Sequence, residues 1–297
     1  MKAKGRAPTA SPYGAYGNPD DTSRRIAAAH RAIPGGGTSA NSAYLFQTAN
    51  GYQAGTAAQA EGSGTSIFDP VLCELAYRWF CPPGGQVLDP FAGGSVRGIV
   101  AAALGRPYTG LELRAEQIAA NEAQAKRLAP NARLRWILGD AREAATLAPG
   151  VYDFIFSCPP YGDLERYSDD PADLSTMPWP AFLTAYRAII AAAVGMLAPD
   201  RFACFVVGDL RGPDGCYRGL PAETCRAFAD AGARLYNDAV LVTAFGSLPL
   251  RAGRAFTAGR KLGKTHQNVL VFVKGNPKAA TAACGSAECG TGEEGAL

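Results

Sequence analysis

From about residue 66 onward, short apolar runs alternate with longer amphipathic stretches, a rhythm that predicts strands alternating with helices. Val71, Leu72, Leu75, Ala76, Trp79 and Phe80 share one helical face, Asp69 stands where an N-cap belongs and Pro70 fits a first turn, so Ser66 to Phe80 reads as a helix that Pro82-Pro-Gly-Gly85 stops. A short apolar strand, Gln86 to Asp89, then enters a turn of small residues and a helix that opens at Ser95 and runs to Leu104. Further strands are expected over Tyr108–Leu113, Arg133–Asp140, Val151–Phe156, Arg201–Asp209, Arg234–Thr243 and His266–Lys274. Helices are expected up to Lys126, over Trp179–Leu197 and from about Pro221 to Ala231. The pattern is that of an α/β protein: one Rossmann-like domain over 63–275, with a mostly parallel sheet and helices on both faces, split at about residue 150 into two halves.

The two ends of the chain lack this rhythm. Residues 1–62 are rich in Gly, Ala, Ser and Thr, and their basic residues outnumber the acids, so they read as a flexible basic arm. Residues 276–297 read as a disordered tail. No apolar run approaches the roughly 20 residues that span a bilayer, and the start Met1-Lys-Ala-Lys-Gly-Arg lacks the apolar core of a signal peptide; a soluble, cytoplasmic protein with no membrane partner is expected. Eight cysteines stand singly, with no Cys-x-x-Cys pair and only two histidines, which points to reduced thiols and no structural zinc. The net charge of +3 permits nucleic-acid binding without requiring it.

Two turns carry the candidate chemistry. In Asp89-Pro-Phe-Ala-Gly-Gly-Ser95, glycines allow close backbone approach to a ligand and the following helix presents free N–H groups. The spacing is not G-x-G-x-x-G, and Asp89 at a strand end is expected to repel a pyrophosphate, so a ligand with positive charge fits better. The next two strands also end in acids, Glu112 and Asp140, and Glu112 lies about 20 residues past the glycines, where a ribose diol is held. In Ser157-Cys158-Pro159-Pro160-Tyr161, two prolines donate no N–H, so their carbonyls are free to accept from a planar ligand bearing an amino group, and Tyr161 offers a face for stacking. Downstream, Phe245 to Lys264 holds Arg251, Arg254, Arg260, Lys261 and Lys264, four glycines and no acid, which reads as a flexible cationic loop able to contact phosphates.

Together these stretches resemble the S-adenosylmethionine-dependent DNA amino-methyltransferases, which methylate N4 of cytosine or N6 of adenine, and the small phage-borne members most. Asp89 to Ser95 resembles their Asp-Pro-Phe-x-Gly-x-Gly/Ser cofactor motif, Ser157 to Tyr161 their (Asp/Asn/Ser)-Pro-Pro-Tyr motif, Ser66 to Phe80 the helix before the cofactor motif, and His266-Gln-Asn-Val-Leu-Val-Phe their final strand. The resemblance covers about residues 66–274. It implies a seven-stranded sheet with the last strand antiparallel, and S-adenosylmethionine as cofactor. Phe91, Gly93 and Gly94 would surround its methionine part, Asp89 its sulfonium and amino end, Glu112 its ribose and Asp140 its adenine, with Phe68 and Ser95 also at the cofactor site. Cys158, Pro159, Pro160 and Tyr161 would act on a base flipped out of duplex DNA.

The residue before Pro159 departs from the motif, because sulfur is a poor acceptor. Ser157, one place earlier, should point to the other face of the strand. Cys158 substitutes for Ser, with backbone carbonyls carrying the load, or acts as a nucleophile on C6 of a pyrimidine for methylation at C5, or leaves the enzyme weak or inactive. An RNA amino-methyltransferase and a non-catalytic nucleic-acid-binding protein are the remaining alternatives. No separate target-recognition domain is visible, so recognition falls to loops near 162–178 and 245–264, the N-terminal arm, a second copy of the chain or a separate specificity partner.

Overall fold

In the computed structural model, which describes residues 68–162, 164–242 and 248–286, helix α1 (Pro70–Phe80) begins as its sequence dictates: the Asp69 carboxylate accepts from the Val71 amide at 2.8 Å, and Pro70 occupies the first turn. The basic arm at 1–62 lies outside the described residues. Strand β1 (Val87–Asp89), helix α2 (Val96–Ala103), β2 (Tyr108–Glu112), α3 (Ala115–Leu128) and β3 (Leu134–Leu138) follow. A 3₁₀ turn (Ala141–Glu143) and α4 (Ala144–Leu147) lead to β4 (Tyr152–Ser157), and a second 3₁₀ turn (Leu174–Thr176) precedes α5 (Trp179–Met196). The chain continues through β5 (Leu197–Val207), α6 (Leu220–Asp230), β6 (Ala233–Val242), α7 (Leu248–Gly259), β7 (His266–Lys274) and α8 (Pro277–Cys284).

The seven strands form one sheet in the order β3-β2-β1-β4-β5-β7-β6. Neighbouring pairs from β3 to β5 are parallel, while β7 lies between β5 and β6 and is antiparallel to both. This is the Rossmann-like sheet expected from the sequence, with its antiparallel strand in place. Strand β4 shows why both faces are covered: Phe154 and Phe156 project to one side and Ile155 to the other, and all three are fully buried. On one face Phe182, Tyr186 and Ile190 of α5 pack with Phe228 of α6, whose ring stacks on Phe272 of β7 at 3.8 Å. On the other, Tyr77 of α1 and Val100 of α2 pack with Cys284 of α8. Helix α5 is long and apolar enough to cross a membrane, but its Phe182, Tyr186, Ile189, Ile190 and Val194 are buried in the core.

Two expectations change. The stretch read as a flexible cationic loop contains α7, because its alanines and leucines sustain a helix despite Gly253 and Gly259. The expected disordered tail begins instead with α8, capped by the Asn276 side chain on the amides of Lys278 and Ala279 and anchored by buried Ala280 and Cys284. Residues 287–297 lie outside the described residues.

Strand order reverses direction between β1 and β4, which pair through Val87 with Phe154 and Leu88 with Ile155. A crevice outside the carboxyl ends of strands at such a reversal is where open α/β sheets bind ligands. The turns after β1 and β4 both open there. The same edge receives the link between β6 and β7, since Val242 at the end of β6 pairs with His266 at the start of β7.

Candidate active site

The turn after β1 is built around a buried ion pair. Asp89 is wholly enclosed, and its two oxygens accept four hydrogen bonds: Oδ1 from the Phe91 amide (3.2 Å) and Ser157 Oγ (2.5 Å), Oδ2 from Arg97 Nε (2.6 Å) and Tyr108 Oη (2.8 Å). A carboxylate offers about four lone-pair directions, so this one is saturated. Arg97, also buried, reaches back from α2 to the carbonyls of Phe91 (2.6 Å) and Ala92 (2.9 Å), with its guanidinium 4.7 Å from the centre of the Phe68 ring. Burial pulls the Arg97 pKa down, but the adjacent Asp89 outweighs this and raises it above the usual arginine value, so the guanidinium stays charged.

These facts correct the sequence reading of Asp89. Its carboxylate does not face the crevice, and its charge is cancelled by Arg97, so it repels no incoming phosphate. Ser95 is corrected as well: its hydroxyl is buried and donates to Gln124 Oε1 of α3 rather than facing a ligand. Arg97 itself was not singled out, because an arginine in the first turn of a helix after Ser95 looks like a surface residue. The signal that could have found it is the lone basic residue within an otherwise apolar and small-residue helix, Val96 to Ala103.

Gly93 has φ of +49°, a conformation glycine adopts without steric cost, and its carbonyl is held by Asn121 Nδ2 at 2.7 Å. No heavy atom lies within 4 Å of where a Cβ would stand on Gly93 or Gly94, so the crest of the turn faces open space. The underside is the opposite: a Cβ on Gly110 of β2 would lie 2.7 Å from the Ala92 Cβ, and the turn is seated there by the Ala92 amide donating to the Leu111 carbonyl. Phe91 is half-buried beside Tyr186 and Phe205, and Phe68 stands edge-on to Phe156 at 5.6 Å.

At the end of β2, Glu112 Oε1 accepts from the Arg114 amide (3.0 Å) and Nε (3.3 Å), and Oε2 has no partner among the described residues. At the end of β3, Asp140 caps the 3₁₀ turn, with Oδ1 accepting from the Arg142 amide and Oδ2 from its guanidinium. Partial burial raises the Asp140 pKa, but the Arg142 hydrogen bonds outweigh it and the carboxyl ends lower than usual.

The turn after β4 is held more loosely. Ser157 points inward and is fully buried, its hydroxyl donating to Asp89 Oδ1. Cys158 is half-buried, and its Sγ lies 3.3 Å from Tyr161 Oη, which also reaches the Val206 carbonyl at 3.3 Å. Burial pushes the Cys158 thiol up; Arg97 and the Tyr161 hydroxyl oppose this, while Asp89 and Glu165 add to it. At neutral pH this sulfur is a thiol, not a thiolate. Among the described residues no donor meets the Pro159 carbonyl. Glu165, next to this turn, accepts from Tyr167 Oη at 2.5 Å, a pair the sequence did not signal.

The cationic residues divide. Arg254 is exposed, Arg260 and Lys261 are exposed beyond the end of α7, and Lys264 is half-buried. Of Arg251 only the backbone is described. The Arg260 guanidinium lies 5.0 Å from the centre of the Phe256 ring.

No protein-family model matches the chain, and no curated protein matches it. Among solved structures, TrmN from Thermus thermophilus is similar at 19% identity and a TM-score of 0.49, over 70% of this chain and 49% of that one, so the chain spans about half of TrmN. A methyltransferase from Pyrococcus furiosus matches at 17% identity and a TM-score of 0.47, over 72% of this chain and 87% of that one. The magnesium protoporphyrin IX methyltransferase of Synechocystis PCC 6803, solved with bound SAM, matches at 16% identity and a TM-score of 0.43, over 65% of this chain and 71% of that one.

Proposed function

We propose that this chain is an S-adenosylmethionine-dependent methyltransferase acting on an exocyclic amino group, N4 of cytosine or N6 of adenine, of a nucleic-acid base, with DNA as the polymer. One observation carries the reading: the glycine turn after β1 and the Pro-Pro-Tyr turn after β4 meet at the reversal point of the sheet. Three features of the first turn fit the cofactor. The crest at Gly93 and Gly94 is open, the first-turn amides of α2 lie behind it, and Glu112 Oε2, without a partner among the described residues, stands at the adjacent strand end. Glu112 would take the ribose hydroxyls, Asp140 the adenine edge, and Phe68 and Phe91 the apolar flank of the methionine part. When bound, the cofactor supplies an electrophilic methyl group on a sulfonium.

The chain's own residues set up the acceptor. An exocyclic amine is a poor nucleophile because its lone pair is delocalised into the ring. The carbonyls at Cys158 and Pro159, flanked by residues that donate no N–H, accept the amine hydrogens and turn the lone pair out of the ring plane. Tyr161, with its hydroxyl on the Val206 carbonyl, provides a wall for the base. The protonated state of Cys158 favours this reading over attack on pyrimidine C6, which needs a thiolate.

The test is incubation of purified protein with methyl-labelled S-adenosylmethionine and duplex DNA, single-stranded DNA or RNA, followed by nucleoside mass spectrometry. N4-methylcytosine or N6-methyladenine in DNA is expected. Product in RNA alone would replace the polymer, 5-methylcytosine would restore Cys158 as nucleophile, and no product on any polymer would overturn the reading.

A further inference from the structure

Strand β5 ends at Val207, and before α6 begins the chain makes a compact finger, Leu210 to Arg218, at the same edge as the two turns. Its base is pinned: Asp209 Oδ1 accepts from the amides of Leu210 (2.9 Å), Gly219 (2.9 Å) and Leu220 (3.2 Å). The Arg218 amide donates to the Leu210 carbonyl, the Gly212 amide to the Cys216 carbonyl, and Asp214 Oδ1 accepts from the Cys216 amide. The Arg211 guanidinium lies over Tyr217, 4.0 Å from the ring centre, and donates to the Gly215 carbonyl at 2.8 Å. Tyr217 is 45% exposed.

Two contacts place this finger. A Cβ on Gly162, just past the Pro-Pro-Tyr turn, would lie 3.4 Å from Arg218 Nη1, and Arg218 stands 4.9 Å from the centre of the Trp179 ring. A Cβ on Gly215 at the tip would lie 3.1 Å from Lys261 Nζ. The finger therefore joins the second turn to the cationic segment after α7, and brings Arg211, Arg218 and Lys261 together on one side of the crevice. Asp214 is the one exposed acid in the finger, and Asp209 is spent on amides.

We infer that the finger Leu210–Arg218, together with Lys261, grips the sugar-phosphate backbone beside the target base, a role that rests on the nucleic-acid reading above. A guanidinium stacked on an exposed aromatic presents planar donors for phosphate and a face for a neighbouring base, and its stacking is tolerant of sequence. A lysine beside it adds a point charge. The element is short and cross-braced by its own hydrogen bonds, so its cations are held in place before any ligand arrives.

The experiment measures binding of short fluorescent duplex and single-stranded DNA by anisotropy across a range of salt, with calorimetry of S-adenosylmethionine as a second readout. Arg211→Gln with Lys261→Ala is expected to weaken DNA binding by about tenfold or more, and to lower the log–log salt slope by about 0.9 per lost duplex phosphate contact. Cofactor binding should be unchanged, which also reports that the variant is folded. Lys278→Ala, on α8 at the opposite edge of the sheet, is expected to bind within about twofold of wild type, because a distant charge makes no phosphate contact. Unchanged affinity and slope in the double variant, or an equal loss from Lys278→Ala, overturns the finger. Polyglutamate competing as well as DNA overturns it in favour of an acidic protein partner. A wild-type protein that binds cofactor but no nucleic acid overturns the reading it rests on.

Discussion

The two turns that meet in the crevice are built on opposite plans. The turn after β1 hangs on a buried carboxylate with four donors and an arginine holding two of its carbonyls, in contacts mostly between 2.5 and 2.9 Å. The turn after β4 is held on its crevice side by contacts near 3.3 Å from Tyr161, one of them to sulfur. The first is a fixed cradle. The second has slack, at the turn where the proposed function has a base enter and rotate. A group that binds in one pose is served by rigidity, whereas a base entering from a duplex needs walls that yield.

The largest effect should come from the cradle. Arg97→Ala leaves Asp89 buried and unpaired and is expected to cost about 3–5 kcal/mol, read from urea unfolding. A loss below about 1 kcal/mol would mean the cradle is not anchored there. Gly110→Ala drives a methyl group into Ala92 beneath the same turn and should cost about 1–3 kcal/mol, with weaker cofactor binding by calorimetry. Cys158→Ser in the slack turn should change stability by less than about 1 kcal/mol. Methyl transfer by that variant should be retained, since a hydroxyl accepts better than sulfur; its abolition would mean that the thiol reacts.

A smaller effect lies away from both turns. Glu223 of α6 is held by Arg187 of α5 at 2.6 Å and also by Arg226, and these bonds outweigh burial to lower its carboxyl pKa below the usual 4.5. The folded value being the lower one, this tie contributes fully at neutral pH and is lost as pH falls through the depressed value. Glu223→Gln should therefore flatten the acid side of a thermal-melting profile, by no more than about 1 kcal/mol, because the pair is partly exposed.

Much of the sheet was readable because each strand is a compact apolar run closed by a turn residue, and His266–Lys274 matches its strand end to end. The two turns were readable because glycine and proline punctuate them. The buried side of the cradle was not. Alternation along a strand shows which face Ser157 takes, but only tertiary structure shows that Ser157, Tyr108 and Arg97 converge on one carboxylate from three elements. Helix α8 did leave a signal, Asn276 as cap followed by Pro277 at the first position, which the small residues around it outweighed. The finger was hidden for another reason: Arg211 and Arg218 lie some 40 residues from the cationic stretch in the sequence, and folding alone brings Lys261 to Gly215.

The place of β7 between β5 and β6 sets an order on the growing chain. As synthesis proceeds, β6 emerges with no neighbour to join, since its hydrogen bonds are all to a strand not yet made. Until Leu270 and Phe272 arrive, Phe228 of α6 lacks the ring it stacks upon, and the edge of β5 stands open. The nascent protein must therefore carry an exposed strand and an uncovered aromatic through the synthesis of some 30 residues, a window in which a holding chaperone would have something to bind. Ribosome-bound chains ending before His266 should be protease-sensitive over α6 and β6, and become resistant once Lys274 has cleared the exit tunnel.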